Sequence, residues 1–132
     1  MATRKRLIEE AERLFAIRGF AGVSLREIGA AAGARNNSAA QYHFGTRQGL
    51  VDAVFDQRMA AINERRLAML AAMDAADEAD ADMATNAPDG RLKDLVAAMI
   101  VPFAMSFDPA PHSTYYARFT SQVLADPELA GT

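Results

Sequence analysis

The sequence predicts an all-α protein, and three observations support this fold class. Apolar residues recur every three or four positions along most of the 132-residue chain, which is the spacing that lines one face of an α-helix. No stretch alternates apolar and polar residues as a half-buried strand does. Ser, Thr or Asn stands before several periodic stretches and Gly follows some of them, as expected for helix caps. Six helices are therefore expected.

The first two helices carry the clearest signals. Thr3 is a candidate N-cap for the stretch RKRLIEEAERLFAIRG, whose apolar residues recur at i, i+3, i+4 and i+7 before Gly19 ends it. The second helix follows Ser24, which has capping-box spacing to Glu27 and is flanked by the apolar residues of a hydrophobic staple. This helix is expected to span about eight residues before Gly33, which is too short to persist alone.

A third short helix is expected from about residue 37 to residue 44, with Asn36 as its N-cap. Ala40 and Phe44 would face the interior, whereas the opposite side of the helix is polar. The outward-facing residues are Arg35, Ser38, Gln41 and Tyr42, with Asn37 on the flank above Gln41. A helix, a glycine-containing turn and a second short helix with an exposed polar face form the helix-turn-helix arrangement.

The rest of the chain predicts three further helices. Thr46 is expected to cap a long fourth helix that begins at Arg47 and reaches residue 73 or beyond. A loop is expected in DAADEADADMATNAPDG, because clustered Asp residues oppose the dipole at a helix C-terminus and Pro88-Asp89-Gly90 is typical of a turn. Residues 95–105 are apolar on nearly all sides, which predicts a buried fifth helix that Pro102 kinks or ends. A sixth helix is expected in HSTYYARFTSQVLAD.

The composition excludes several classes of site. The chain has no Cys and only two His, which rules out disulfides and thiolate metal sites and leaves a poor set of metal ligands. The N-terminus lacks the apolar core of a signal peptide, and no stretch approaches the roughly 18 apolar residues of a membrane span. No nucleophile-base pair or Gly-rich phosphate loop is evident. We therefore expect a soluble cytoplasmic protein that is not an enzyme and has no cofactor, metal or membrane partner.

Charge is distributed unevenly along the chain. Residues 1–47 hold eight Lys and Arg against four Glu, whereas the remaining residues hold six basic against thirteen acidic ones. The overall formal charge of −3 conceals this asymmetry. It suggests a basic module that contacts a polyanion and an acidic body that does not, although chance segregation of solvated charges would give the same counts.

The N-terminal half contains two stretches, SLREIGAAAG and QYHFGTRQGLVDAVF, that resemble the tetracycline-repressor (TetR) family of bacterial transcription regulators. The longer stretch AERLFAIRGFAGVSLREIGAAAG, the YHF at residues 42–44 and the basic residue three positions after Phe44 carry the resemblance. It implies an N-terminal three-helix helix-turn-helix DNA-binding module, joined by a long fourth helix to a helical ligand-binding and dimerisation domain. Members of the family ordinarily continue through further helices. We therefore expect a DNA-binding domain at residues 1–47 and an incomplete effector-binding and dimerisation region at residues 48–132.

The resemblance also implies where DNA is bound. The third helix would enter the major groove, with Tyr42 and His43 near the sugar-phosphate backbone and Arg47 at the usual phosphate-binding position. A cation at a helix N-terminus opposes the helix dipole, whereas a phosphate there would satisfy both the guanidinium and the free N–H groups. Asn and Gln can bond adenine bidentately, and Arg can bond guanine. The candidate DNA-binding residues are Ser24, Arg35, Asn36, Asn37, Ser38, Gln41, Tyr42, His43 and Arg47.

One departure from the family pattern affects the third helix. Between Gly33 and Tyr42 the chain has one residue more than the commonest family spacing, and Asn-Asn-Ser-Ala stands where a small residue plus Thr-Leu is frequent. The turn or the first turn of the third helix is therefore expected to be remodelled. Which of its polar residues reach base edges stays open at this point.

Several large apolar residues of the C-terminal half have two interpretations. Such residues are more often plain core than a binding site. The resemblance nevertheless implies a pocket for a small-molecule effector, and two tyrosines could orient a mostly apolar molecule there. The candidate effector-binding residues are Met99, Phe103, Tyr115, Tyr116 and Phe119.

Together these features predict a DNA-binding transcriptional regulator. We expect a repressor that binds a palindromic operator in double-stranded DNA as a homodimer and is released by a small-molecule effector of unknown identity. Two alternatives remain open. The chain could be a small helical ligand-binding protein or enzyme without DNA binding, or a helix-turn-helix protein that acts as a protein-protein adaptor.

Overall fold

The computed structural model describes residues 4–36, 38–79, 88–107 and 114–129, and within these ranges it contains six α-helices and no strand. The predicted all-α fold class is confirmed. The chain divides into two compact units, Met1–Gln57 with Pro109–Thr132 and Arg58–Asp108. The functional boundary at residue 47 stays a prediction. The helices are α1 Arg4–Arg18, α2 Leu25–Ala31, α3 Ala39–Phe44, α4 Arg47–Ala79, α5 Pro88–Met105 and α6 Thr114–Ala125.

The core of the first unit is built where α6 packs against α1. The Phe119 ring lies between the rings of Phe15 and Phe55, with centroid distances of 6.3 and 5.2 Å. Tyr116 stacks on Phe119 and is 2% exposed, whereas Tyr115 is half-buried. The rotational position of α6 therefore turns Tyr116, rather than Tyr115, toward the core. Each buried aromatic side chain contributes about 1.5–3 kcal/mol to folding.

The start of α2 agrees with the sequence prediction. Ser24 is its N-cap, and both hydrogen bonds of the capping box with Glu27 are present. Val23 and Ile28, the two residues of the hydrophobic staple, are almost completely buried. Gly33 follows with a φ of +75°, a left-handed conformation that glycine adopts without strain. A helix of seven residues is therefore held at its start by the cap and through its length by packing.

The start of α3 differs from the prediction. The helix begins at Ala39 rather than at residue 37, and its N-cap is Ser38 rather than Asn36. The Asn36 side-chain oxygen instead accepts a hydrogen bond from the Ser38 backbone N–H at 2.9 Å, which forms a local turn before the helix. Ala40 is completely buried, as predicted, and Phe44 is half-buried.

The N-terminus of α4 is as predicted, whereas two features of α5 are not. Thr46 caps α4, because its hydroxyl oxygen accepts a hydrogen bond from the Gly49 N–H at 3.0 Å. The predicted turn at Pro88–Gly90 is wrong, since α5 begins at Pro88, and proline suits the first helical position because no N–H is needed there. Pro102 was predicted to kink or end the helix, and it does not end it, since α5 continues to Met105. Pro102 lies in the last turn, where its missing N–H removes only one helical hydrogen bond.

The expected burial of residues 95–105 in the second unit is wrong for most of this segment. Ala98 and Pro102 are buried, but Met99 and Ile100 are 65% and 59% exposed and Phe103 is 45% exposed. Among the described residues of this unit, only α4 is available to cover α5, and one neighbouring helix covers only part of a helix surface. No helix in the described ranges is long and apolar enough to cross a membrane.

Candidate nucleic-acid interface

The predicted DNA-binding residues lie around two concave surfaces of the helix-turn-helix module. The first, of about 640 Å³, is lined by Arg35, Asn36, Ser38, Tyr42 and His43 together with Ala34 and Ala39. The second, of about 520 Å³, is lined by Ser24, Gln41 and Arg47 together with Ala21, Gly22, Val23, Leu25, Arg26 and Glu27. Eight of the nine candidates are therefore surface residues grouped at two places, and the ninth, Asn37, lies outside the described residues.

The outer side of α3 is polar and open to solvent. Gln41, Tyr42 and His43 are all exposed, and Tyr42 is 86% exposed. The rings of Tyr42 and His43 meet edge to face at a centroid distance of 5.3 Å. Because Ala40 packs inward with no exposed surface, the rotational position of α3 is fixed and these three side chains remain available to an external ligand.

Carboxylates are absent from this part of the sequence. No Asp or Glu occurs between Glu27 and Asp52, so α3 and the turns on either side of it carry none. Arg35 is exposed beside the first concave surface. A polyanion that approaches α3 therefore meets a cation and neutral hydrogen-bonding groups, without repulsion from this segment.

Ser24 is committed to hydrogen bonds within the module. Its hydroxyl oxygen accepts from the Glu27 N–H at 3.2 Å, and the hydroxyl donates to the Glu27 carboxylate at 3.0 Å. The Ser24 N–H donates to the same carboxylate at 2.8 Å, and Arg18 donates to its other oxygen at 3.0 Å. The bonds from Ser24 and, after them, from Arg18 hold the pKa of Glu27 below its ordinary value of 4.5. Ser24 thus positions the α2 N-terminus.

Arg47 is turned toward the loop between α1 and α2. Its Nη1 atom donates to the Phe20 carbonyl at 3.0 Å and to the Val23 carbonyl at 3.4 Å. The guanidinium carbon lies 4.6 Å from the centroid of the Phe20 ring. The half-buried guanidinium therefore has partners inside the protein, and the phosphate contact implied by the resemblance stays a prediction.

Sequence reasoning missed two arginines of this module. Arg18, the last residue of α1, bonds both Glu27 and the Gly22 carbonyl, the latter at 2.7 Å. Arg4 lies over the Phe44 ring at 5.3 Å from its centroid. A basic residue at the end of one helix and an acidic residue in the first turn of the next is a pattern that could have indicated the Arg18 contact.

The predicted effector-binding residues have different surroundings. Met99 and Phe103 lie on the exposed side of α5 in one unit. Tyr116 and Phe119 belong to the aromatic core of the other unit, beside the half-buried Tyr115. Their role in effector binding stays a prediction. In the described part of the chain, no group of three or more His, Asp or Glu could hold a metal ion.

One comparison with known proteins identifies the N-terminal module. A family model described as bacterial regulatory proteins, tetR family, matches residues 7–54, which include most of α1, all of α2 and α3, and the first two turns of α4. No curated protein sequence matches the chain. The matched segment is the one that presents the exposed polar side of α3. Residues 7–54 are thus similar to the N-terminal helix-turn-helix module of bacterial regulatory proteins of the tetR family.

Proposed function

We propose that this chain is a transcriptional repressor that binds a palindromic operator in double-stranded DNA. The exposed polar side of α3 carries the proposal, because it stands on a helix fixed by buried Ala40 and is free of carboxylates. The major groove of B-DNA admits one α-helix and presents donor and acceptor groups that amide and guanidinium side chains can pair with. A solvated surface helix would need no such concentration of planar hydrogen-bonding groups.

The side chains divide into two proposed roles. Gln41 and Arg35 read base edges, since both are exposed and can form bidentate bonds. Asn36 contributes less to base reading, because its side-chain oxygen already accepts from Ser38. Tyr42 and His43 contact the sugar-phosphate backbone and set the register of α3 on the duplex.

The remaining parts of the proposal rest on the similarity of residues 7–54 to the tetR family. The regulator acts as a homodimer in the cytoplasm, where its DNA target lies, and a small-molecule effector releases it. Two recognition helices must reach half-sites about 34–36 Å apart, or a multiple of that distance. An effector that changes the direction of the first turns of α4 in each protomer would move the two recognition helices out of this spacing and release the DNA.

Operator selection from a random duplex pool tests the proposal with the full chain. We expect enrichment of sequences that contain two inverted half-sites, and loss of the enrichment in the double variant Arg35→Ala/Gln41→Ala. The matched control is Gln122→Ala, which removes an exposed amide from α6.

The two alternatives predict a different result of the selection. A ligand-binding protein, an enzyme or a protein-protein adaptor would enrich no sequence and would bind all duplexes weakly. Enrichment of a single asymmetric site would support DNA recognition but would contradict the dimeric operator.

A further inference from the structure

The loop between α1 and α2 is held by arginines from two different helices. Arg18, at the end of α1, donates from Nη2 to the Gly22 carbonyl at 2.7 Å. Arg47, at the start of α4, donates from Nη1 to the Phe20 carbonyl at 3.0 Å and the Val23 carbonyl at 3.4 Å. Three carbonyl groups of one short loop are thus bonded by charged donors, which form stronger bonds than neutral ones.

The Arg47 contact combines two hydrogen bonds with a cation–π contact. One nitrogen bonds two carbonyl oxygens, while the guanidinium carbon lies 4.6 Å from the centroid of the Phe20 ring. A lysine ammonium also has enough donors for two carbonyl oxygens, but it lacks the planar face of the guanidinium. The carbonyl oxygens also place negative charge beside a cation that the N-terminal end of the α4 dipole disfavours. The two carbonyl oxygens therefore offset part of this unfavourable interaction.

The bonded loop leads directly into α2. The Val23 carbonyl belongs to the residue before Ser24, the N-cap of α2. The loop also lies tightly against the end of α1, because a Cβ atom on Gly22 would come within 2.7 Å of the Arg18 carbonyl oxygen. A loop restrained in this way has little freedom to absorb a displacement of the first turn of α4. The displacement would pass through Arg47 to the α2 N-terminus.

We propose that Arg47 is a positioning residue that couples the first turn of α4 to the α1–α2 loop, and that it affects DNA binding through this link. Through this link the direction of α4 sets the position of α2, and α3 packs against α2. The inference rests on the proposed function and specifies how a change at α4 reaches the DNA-reading helix.

DNA binding by two Arg47 variants distinguishes a positioning role of Arg47 from a phosphate contact. We expect Arg47→Met to weaken binding to the selected operator by about tenfold, because methionine cannot bond either carbonyl, and Arg47→Lys to weaken it less, because an ammonium can bond both. The dependence of log K on log salt concentration should keep its slope in both variants. Arg65→Met, which removes an exposed charge from α4, is the matched control and should change neither quantity.

A phosphate contact predicts a different dependence on salt. Arg47→Met would then lower the slope by about 0.9 for the lost contact, whereas Arg47→Lys, which keeps the charge, would leave the slope unchanged. That pattern would overturn the inference.

Hydrogen exchange on the DNA-free chain tests the coupling separately. The Glu27 and Ile28 amides donate to Ser24 at the α2 N-terminus, whereas the Phe119 amide lies in the core helix α6. In Arg47→Met we expect faster exchange at Glu27 and Ile28 than at Phe119, relative to the wild type. An equal change at all three amides, or none, would overturn the coupling. If the wild type binds no DNA, the proposed function fails while this measurement still decides the role of Arg47.

Discussion

The side chains around α3 differ in how much of their hydrogen-bonding capacity the protein itself uses. Ser24 is occupied by Glu27, and the Asn36 oxygen is occupied by the Ser38 N–H. Gln41 and Tyr42 extend from the outer side of the helix, and Tyr42 is 86% exposed. The free capacity is therefore concentrated on a few residues, of which Gln41 is expected to discriminate between DNA sequences and Tyr42 to contact the DNA backbone.

Tyr42→Phe tests the proposed backbone contact. Because the ring is exposed, removing its hydroxyl should leave the free energy of unfolding within about 0.5 kcal/mol of the wild type. Loss of one hydrogen bond to a charged phosphate should weaken binding to all duplexes alike, by about tenfold. Fluorescence anisotropy with the operator and with a scrambled duplex measures both losses. A loss confined to the operator would instead assign Tyr42 to base reading.

At the scale of the helix, α2 depends on its N-cap more than a longer helix would. It has seven residues, and a helix of this length does not persist without a cap and packing. Ser24, Glu27 and Arg18 form one connected set of hydrogen bonds at its start. A change in any of them should therefore affect the module that holds α3.

Ser24→Ala should lower the free energy of unfolding by about 1 kcal/mol, because the side chain that caps α2 is lost. Urea denaturation followed by circular dichroism measures the change. Ser121→Ala is the matched control, since Ser121 is exposed on α6 and caps no helix. Equal stability of the Ser24 variant and the wild type would show that packing alone holds α2.

The pH dependence of stability should reflect Glu27. Its pKa is lowered in the folded state, first by the hydrogen bonds from Ser24 and then by Arg18. The resulting stabilisation is fully present above the ordinary pKa of 4.5 and is lost as the pH falls through the lower folded value. The stability advantage of the wild type over Glu27→Gln should therefore shrink in acid. A stability advantage over Glu27→Gln that stays constant with pH would contradict this origin of the stabilisation. An advantage equal to the one that the wild type has over Glu64→Gln would contradict it as well.

Helix starts show which parts of the fold are predictable from the sequence. Ser24 and Thr46 act through side chains at fixed spacing, so their caps were predicted and are confirmed. The start of α3 was wrong because Asn36 serves a turn just as well as a cap, and only the backbone conformation decides between these uses. Pro88 was likewise ambiguous, since proline occurs both in turns and at first helical positions.

The outward side of α3 was predictable because, like the helix caps, it depends on residue types at fixed spacing along the sequence. Helical spacing and residue type placed the polar side of α3 outward, and the structure agrees for Gln41 and Tyr42. The carbonyl partners of Arg47 come from residues more than twenty positions earlier in the chain. A sequence pattern contains no signal for such a contact, which is why the resemblance and the helix-dipole argument suggested only a phosphate there.

At the scale of the whole molecule, the main unexplained feature is the exposed side of α5, whose apolar residues are not buried within the described part of the chain. Met99, Ile100 and Phe103 present apolar surface to solvent on one helix. Contiguous apolar surfaces of this kind favour association or aggregation. This surface lies outside residues 7–54, the segment that matches the tetR family model.

The chain should therefore self-associate through the exposed side of α5. Light scattering over a concentration series should give a mass above the 14.2 kDa of one chain, and Met99→Lys/Ile100→Lys should shift the mass toward that value. Leu124→Lys, at an exposed apolar position on α6, is the control and should have little effect. A wild type that stays monomeric at every concentration would contradict the prediction.

The central claim is that α3 reads DNA sequence, and the affinity of Gln41→Ala for the selected operator and for a scrambled duplex tests it most directly. The substitution removes no charge, and a lost bidentate base contact costs about 1–3 kcal/mol. We predict that operator binding weakens by that amount while binding to the scrambled duplex is unchanged, and that the control Gln122→Ala binds both as the wild type does. Unaltered operator affinity in both Gln41→Ala and Arg35→Ala would contradict the claim that α3 is the reading element.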